Sequence, residues 1–329
     1  MVKFKAMNPN LINDDFLQCP YCSGALTGTK GDLFCTQCTK QYATQGTYID
    51  FVDLSRSDNV ARKAIVTWGQ NLHNFSLSDE GHCGHFTQFT DVFDDFFHFT
   101  EHSRIVDIGC GAGEDAVKLA HSRPDLEVFA FDIGQNIISL ANKSLSLENL
   151  HFMRADSRFL PFRNEVFDYV VSFGVFHHTD SPKKCVLEAF RVLKEGGTAF
   201  VYLYKNHEDN FVKRIGVIGE AFIMKKLSGM PYRNAKTLSH ALAIPCLLLF
   251  SWPAWLMKKI PRLSRFAKTL PMHWGTTPAS IHCDLEDRLL APINHRFSRL
   301  AFKQLFEETG FIETSIVTRS GGHYAMAKK

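Results

Sequence analysis

Several absences narrow this sequence before any motif is read. The apolar run at residues 241–257 stops at seventeen and contains Pro245 and Pro253, short of the ~20 apolar residues that a bilayer-spanning helix needs. The first sixteen residues, MVKFKAMNPNLINDDF, lack an apolar core followed by a small-residue cleavage site, so no signal peptide is expected. The nine cysteines lack the even, regular spacing of a disulfide scaffold, because Cys83, Cys110, Cys185, Cys246 and Cys283 are scattered. An odd, scattered set points to a reducing compartment, and a cytoplasmic location is expected. Acid is nearly missing from residues 211–271, where Glu220 stands alone against eleven lysines and arginines. The overall net charge of +3 hides that local excess, which is the part that bears on partners.

What the sequence does contain is organised around residues 104–120, RIVDIGCGAGEDAVKLA. An apolar run (Ile105, Val106, Ile108) stops at glycines on alternate positions, Gly109, Gly111 and Gly113, and a helical pattern starts behind Glu114 and Asp115. Strand, glycine turn and helix build a nucleotide pocket at the carboxyl edge of an α/β sheet. Glycines there take φ > 0 and let the backbone approach the ligand. A dinucleotide fingerprint would need its third glycine at position 114, where Glu114 stands. Acids at a helix start also oppose a pyrophosphate, which binds that end through the helix dipole and free N–H groups. With Asp107 ahead of the turn, the loop favours a ligand without phosphates, and its charge suits a cation.

This D-x-G-x-G-x-G pattern resembles motif I of class I S-adenosylmethionine (SAM)-dependent methyltransferases, whose cofactor carries a sulfonium and an ammonium. The chain continues in step. Residues 127–133, EVFAFDI, read as a strand ending in Asp132, an acid placed to accept hydrogen bonds from ribose hydroxyls. A helix is expected over 135–147, a strand over 150–155, a fourth strand over 166–174, a helix over 181–194 closed by Gly196-Gly197, and a fifth strand over 198–204. The run LPFRNEVFDYVVSFGVFHHTD closely resembles the ubiquinone/menaquinone-methylase group (methyltransferase type 11). The resemblance is continuous over about residues 104–204. It implies a Rossmann-like α/β sheet with a terminal antiparallel hairpin, and SAM as cofactor. It places Asp107, Gly109, Cys110, Gly111, Gly113, Asp132, Ile133, Asp156, Ser157 and Phe173 at the cofactor, with Asp156 against the adenine amino group. The hairpin is expected from strand-like residues 311–319 and 323–328 around Ser320-Gly321-Gly322, after a helical pattern at 298–309.

Near the N-terminus, Cys19-Pro-Tyr-Cys22 and Cys35-Thr-Gln-Cys38 are separated by twelve residues. Two thiolate pairs on short knuckles close tetrahedrally on Zn²⁺, for which soft sulfur is suited. Cys19, Cys22, Cys35 and Cys38 are therefore expected to hold structural zinc; a redox C-x-x-C would not need its duplicate. Residues 19–52 resemble the Trm112-like zinc ribbons, found fused to methyltransferases or as their partners. The expected domains are a ribbon at 1–53, a helical connector or cofactor lid at 54–103, and a SAM-binding domain at 104–329. In the connector, Phe86, Phe89, Phe93, Phe96 and Phe97 recur at helical spacing, predicting an amphipathic helix packed on the sheet. Residues 68–75 are a candidate cofactor cover, and His82-Cys83-Gly84-His85 reads as loop.

Between the fifth strand and the last helix lies an insertion at about 205–291. Its apolar run carries Trp252 and Trp255 with basic residues on both flanks. A lid buried against the core is one reading. A peripheral membrane contact through 211–271, on the inner membrane face, is the other. Methyl transfer is an in-line displacement at the methyl carbon, so alignment in a dry pocket supplies much of the acceleration. His177 and His178 follow the fourth strand, where the family's active-site mouth lies. His295, after Asp284 and Pro292, precedes the last helix. These three histidines are the candidate catalytic groups, as a general base for a hydroxyl acceptor, while a structural role for His178 weighs equally. The expected acceptor is a small molecule, a glycan or a lipid-linked compound. Alternatives are an RNA methyltransferase docking substrate through its ribbon, and a non-catalytic SAM-binding scaffold. Nucleic acid ranks lower, because the chain has FGVFHH where base methylases carry Asn/Asp-Pro-Pro-aromatic or a nucleophilic cysteine. The oligomeric state stays open.

Overall fold

The computed structural model describes residues 16–29, 32–45, 48–53, 55, 62–63, 65, 67, 85–135, 137, 147–272 and 277–329. The leader at 1–15, the candidate cover at 68–75, residues 82–84 and most of the helix expected over 135–147 lie outside them. The described chain forms two units, one made of the residues up to Leu203 together with Arg299–Lys329, the other of Tyr204–Ser298.

In the first unit, β1 (Leu26–Thr29), β2 (Asp32–Cys35), β3 (Gln41–Gln45) and β4 (Tyr48–Asp50) pair antiparallel in succession. Strand alternation is visible on β2, where Leu33 and Cys35 are buried and Phe34 between them is exposed. Then come β5 (Arg104–Ile108), β6 (Glu127–Asp132), β7 (Leu150–Arg154), β8 (Phe167–Phe173) and β9 (Leu193–Tyr204). These five are parallel in the order β7-β6-β5-β8-β9. Their apolar runs are buried nearly throughout, as a parallel sheet covered on both faces requires. The expected terminal hairpin is present: β10 (Glu313–Thr318) and β11 (Gly322–Lys328) are antiparallel, and β11 lies beside β9.

The cysteine ribbon does not stand apart from this sheet. β4 pairs in parallel with β7, so one eleven-stranded sheet runs from β1 to β10. The segment before β1 adds a strap, with Gln18 N–H donating to the Pro161 carbonyl and Arg163 N–H to that of Phe16. The Phe16 ring packs edge-on against Phe129, 5.5 Å between centroids.

β9 starts at Leu193, five residues before the expected position. The glycine pair expected to close the preceding helix lies inside the strand instead, where the β8–β9 register shifts between Phe167 and Tyr169. A Cβ on Gly197 would come within 3.0 Å of the Asp168 carbonyl oxygen, so the two backbones approach as only glycine allows.

The aromatic stripe packs on the sheet as expected, but only its beginning is helical. Helix α1 spans His85–Thr90 and the chain continues in turns. Phe89 and Phe96 stack at 5.0 Å, and Phe96 meets Phe200 of β9 edge-on at 4.9 Å. Phe97, counted with the stripe, is exposed. α2 (Glu114–Ser122) follows the glycine turn. α3 (Pro182–Val192) starts with Ser181 accepting from Lys184 N–H and proline in the first turn, both regular helix-start features.

The second unit is helical. α4 (Phe211–Leu227) is capped by Asn210, whose side chain accepts from Lys213 N–H. α5 (Tyr232–Lys258) runs for 27 residues through Pro245 and Pro253, with a turn at Leu242 and a π-helical turn at Leu247–Ser251 between the two prolines. α6 (Ser264–Ala267) and α7 (Pro278–Leu290) complete it. Its core comprises Leu227, Ala235, Ala243, Leu247, Met272, Ile281, Leu285 and Leu289. Asn206 N–H donates to the Phe297 carbonyl, and Phe297 N–H to that of Tyr204, tying the ends of the unit together. The chain then re-enters the first unit as α8 (Arg299–Glu307).

Within its own unit the apolar run is largely uncovered. In its most apolar window only 22% of α5 is buried, because its inward positions carry mainly small residues and its large ones face outward. By length and composition, α5 is the one helix among the described residues long and apolar enough to cross a membrane.

Candidate cofactor and active site

The loop after β5 is built from three left-handed glycines, with φ +77° at Gly109, +56° at Gly111 and +69° at Gly113. Gly109 has no room for a side chain, since a Cβ there would lie 2.3 Å from Val175 Cγ2. The turn is fixed by Gly109 N–H and Cys110 N–H, both donating to the Phe131 carbonyl, and by Gly113 N–H donating to that of Cys110. Gly113 then serves as N-cap of α2, with Glu114 and Asp115 in its first turn.

Asp132, at the end of β6, faces this turn. Its Oδ2 accepts from Gly111 N–H at 3.2 Å and its Oδ1 from Gly134 N–H at 2.7 Å. Asp107 is buried within the same cradle. Burial first, then the charges of Asp115 and Asp132, hold its carboxyl well above the usual carboxylate range. Burial likewise raises Asp132, against the lowering effect of its backbone donors. The Cys110 thiol is pushed up by burial and by Asp107 and Asp132. Asp115 and Asp132 both act on Asp107, so acids are gathered around the turn, an arrangement that suits a cation better than a phosphate.

A support unnoticed in the sequence comes from the ribbon edge. Arg154 at the end of β7 donates from Nε to the Ile133 carbonyl at 3.0 Å, and its Nη1 lies 2.9 Å from Asp50 Oδ2 of β4. The residue beside Asp132 is thus held by an ion pair between strands 104 positions apart in sequence.

Asp156 and Ser157 follow β7, but the Asp156 carboxylate is already engaged. Arg158 folds back on it, with Nη2 at 2.7 Å from Oδ2 and both Nε and its own N–H on Oδ1, and reaches Asp180 with Nη1 at 2.5 Å. With about four acceptor positions on a carboxylate, Asp156 keeps little capacity for an adenine amino group. Ser157 Oγ lies 3.4 Å from the buried Cys185 Sγ. Phe173, the last residue of β8, stacks on Tyr202 at 4.4 Å and meets Phe89 edge-on at 5.5 Å.

His177 and His178 form a 3₁₀ turn, Phe176–His178, directly after β8. Both are buried, and their rings lie 4.1 Å apart. His178 N–H donates to the Val175 carbonyl, and Val175 in turn packs over Gly109, so histidines and glycine turn share one wall. His295 lies in the second unit, its ring 6.5 Å from that of Phe297. There Asp284 sits 2.9 Å from Arg288 Nε, and burial raises its carboxyl to about 6. Each unit holds its own candidates.

The four N-terminal sulfurs converge. All lie within 4.8 Å of one another, with Cys19–Cys38 at 3.7 Å and Cys22–Cys35 at 3.4 Å. A tetrahedral site with Zn–S bonds of about 2.3 Å has S–S edges of ~3.8 Å. The two knuckles are alike: Ser23 N–H donates to the Cys19 carbonyl and Thr39 N–H to that of Cys35, with φ of +58° and +56°. The donor set and its backbone fit a zinc ion.

Residues 106–201 match the family model described as "Methyltransferase domain". The 27-O-demethylrifamycin SV methyltransferase of Amycolatopsis mediterranei is 31% identical over 136 residues, covering 40% of this chain and 50% of that protein. The demethylmenaquinone methyltransferase of Leptospira interrogans is 31% identical over 106 residues, covering 30% and 42%. A solved SAM-dependent methyltransferase from Methanosarcina mazei superposes with TM-score 0.43 at 18% identity, covering 70% of this chain and 94% of that one. The chain spans about half the length, or less, of these curated relatives. The matched segment carries a Rossmann-like parallel sheet and matches that methyltransferase-domain family over residues 106–201.

Proposed function

We propose that the chain methylates a small-molecule or lipid-linked acceptor with SAM held in the glycine cradle. The observation that carries the reading is the acidic turn, in which Asp107, Asp115 and Asp132 surround three left-handed glycines where a phosphate nucleotide would need a neutral or basic loop. SAM supplies a methyl group activated by a sulfonium whose positive charge is dispersed on transfer. Asp132 would hold the ribose, and the backbone of 109–113 would receive the amino-acid end. The aromatic wall of Phe173, Tyr202 and Phe89 keeps water away from one side. The relatives named for demethylrifamycin and demethylmenaquinone support a small-molecule acceptor over RNA. Incubation with methyl-labelled SAM and fractionated cell extract tests this: label is expected in the lipid or small-molecule fraction, and label in RNA alone would refute the acceptor class.

The acid cluster gives a pH signature. For a carboxyl raised in the fold, the unfolded chain releases its proton first as pH rises, so stability falls above the ordinary carboxylate range until the folded pKa is passed. A bound sulfonium favours the ionised form and reverses the effect. The melting-temperature gain on adding SAM is therefore expected to grow from pH 5 to pH 7.5. A gain that shrinks over that interval would contradict an anionic cradle.

If either histidine acts as base, His178→Ala or His295→Ala lowers turnover by about a hundredfold while SAM affinity, read by calorimetry, stays within a factor of two to three. Unchanged turnover in both leaves alignment alone as the mechanism. We further propose that Cys19, Cys22, Cys35 and Cys38 hold one structural zinc. Metal analysis of the purified chain is expected to give one zinc per molecule. Cys38→Ser is expected to lose it and, because β4 belongs to the central sheet, to lower the melting temperature of the whole first unit.

A further inference from the structure

Among the described residues, all but five of the large exposed apolar side chains lie between Phe211 and Phe266. On α4, Phe211, Ile215, Ile218 and Phe222 recur every three or four residues and are each more than half exposed, making one stripe. The other side of α4 faces the core of its unit, with Leu227 buried and Glu220 paired to Arg288 and Arg296. α5 shows the same inversion. Its inward positions are Ala235, Ser239, Ala243, Leu247, Ser251 and Ala254, whereas Leu248, Leu249, Trp252, Trp255 and Leu256 are 47–65% exposed. Small residues face protein and large apolar ones face outward, the reverse of a water-facing helix.

The rim of this surface is basic. Lys259 Nζ sits 3.5 Å over the Trp255 ring, Lys226 Nζ lies 5.6 Å from that of Phe222, and Arg265 is 4.8 Å from that of Phe266. Across 211–271 the only acid is Glu220, and it is turned inward. We infer that this face docks on an anionic lipid bilayer, with the α4 and α5 stripes in the headgroup–acyl boundary and the lysines and arginines on anionic headgroups. Tryptophan beside lysine is the side-chain pair such a boundary favours.

Full crossing by α5 is opposed by what lies on its inward side. Glu286 of α7 bonds to both Lys236 and His240 of α5, and the Glu220–Arg288–Asp284 ion pairs lie in the same unit. A spanning position would carry these groups into hydrocarbon. Self-association is opposed by charge, because two copies would bring like basic rims together. The inference does not depend on methyl transfer.

The test is flotation of the full chain with vesicles of phosphatidylcholine alone or mixed with phosphatidylglycerol. Binding is expected on the mixed vesicles, weaker by about tenfold or more on phosphatidylcholine alone and at raised salt. Leu249→Glu with Trp252→Glu is expected to abolish it. Lys258→Glu with Lys259→Glu is expected to reduce it while leaving SAM affinity and the circular dichroism spectrum unchanged, which separates docking from folding. No flotation, equal binding to both vesicle types, or equal binding of the Leu249/Trp252 variant would overturn the inference. So would a solution dimer of the native chain that this variant dissociates.

Discussion

Asp132→Ala is expected to weaken SAM binding by about 10³-fold. A carboxylate that accepts from two ribose hydroxyls makes two charge-assisted hydrogen bonds, each worth about 1.5–3 kcal/mol. The same oxygens accept from Gly111 N–H and Gly134 N–H, so the substitution also loosens the turn proposed to receive the cofactor. Asp132→Asn keeps one acceptor and the shape, and an intermediate loss is expected. The fold should survive both changes, because burial already disfavours the Asp132 charge. Calorimetric titration of the three proteins, with circular dichroism alongside, measures this. Equal SAM affinity in wild type and Asp132→Ala would remove Asp132 from the cofactor site.

Gly109→Ala carries the second large effect, this time on stability. The residue has φ +77°, a conformation costing an L-residue about 1–2 kcal/mol. Its new methyl would also meet Val175 Cγ2 at 2.3 Å and Cγ1 at 2.6 Å, an overpacking typically worth about 1–3 kcal/mol. Together the loss is about 2–5 kcal/mol, or roughly 10 °C in melting temperature for a unit of this size. The two parts separate in a double-mutant cycle. Val175→Ala deletes both colliding methyls, so Gly109→Ala/Val175→Ala is expected to recover the packing share and retain the backbone share. Purely additive losses would show that Val175 does not close over the turn. Val175 also anchors His178 through its carbonyl, so any shift of this residue should be felt in turnover as well as in SAM affinity.

The parts of the site that were legible in the sequence are those fixed by local chemistry. Alternate glycines after an apolar run specify φ > 0 within a few residues, and Glu114 in place of a third glycine already argues against a pyrophosphate. Asp132 is legible as a strand-end acid because strand length places it at the carboxyl edge. The cysteine knuckles were equally local, each needing only four residues and the left-handed residue behind it, Ser23 or Thr39.

What could not be read depends on distant groups. Arg158 follows Asp156 by two positions, yet its second partner is Asp180, and only the fold shows that the Asp156 carboxylate is occupied. The Asp50–Arg154 pair, which supports the Ile133 carbonyl, joins a ribbon strand to a sheet strand; nothing in either segment announces the other. For the same reason the ribbon reads as separable in sequence, whereas β4 pairs with β7 and continues the central sheet. The aromatic stripe packs against the sheet, but its helix is shorter than the ring spacing predicts, ending at Thr90. Rings at three- and four-residue intervals also fit the turns after Thr90, which bring Phe93 and Phe96 onto Phe200. The apolar run at 241–257 shows the limit of periodicity. Hydrophobicity alone does not reveal which side faces protein, and here the answer lies in residue size, with alanines and serines inside and leucines and tryptophans outside.

In the proposed site the acidic glycine cradle selects a cation-bearing nucleoside. Calorimetric titration of the purified chain with SAM, and in parallel with NAD⁺ and ATP, tests this most directly. One SAM per chain is expected, abolished or much weakened in Asp132→Ala, with no measurable heat from either phosphate nucleotide. Binding of NAD⁺ or ATP in preference to SAM, or no binding of SAM to the folded chain, would contradict it.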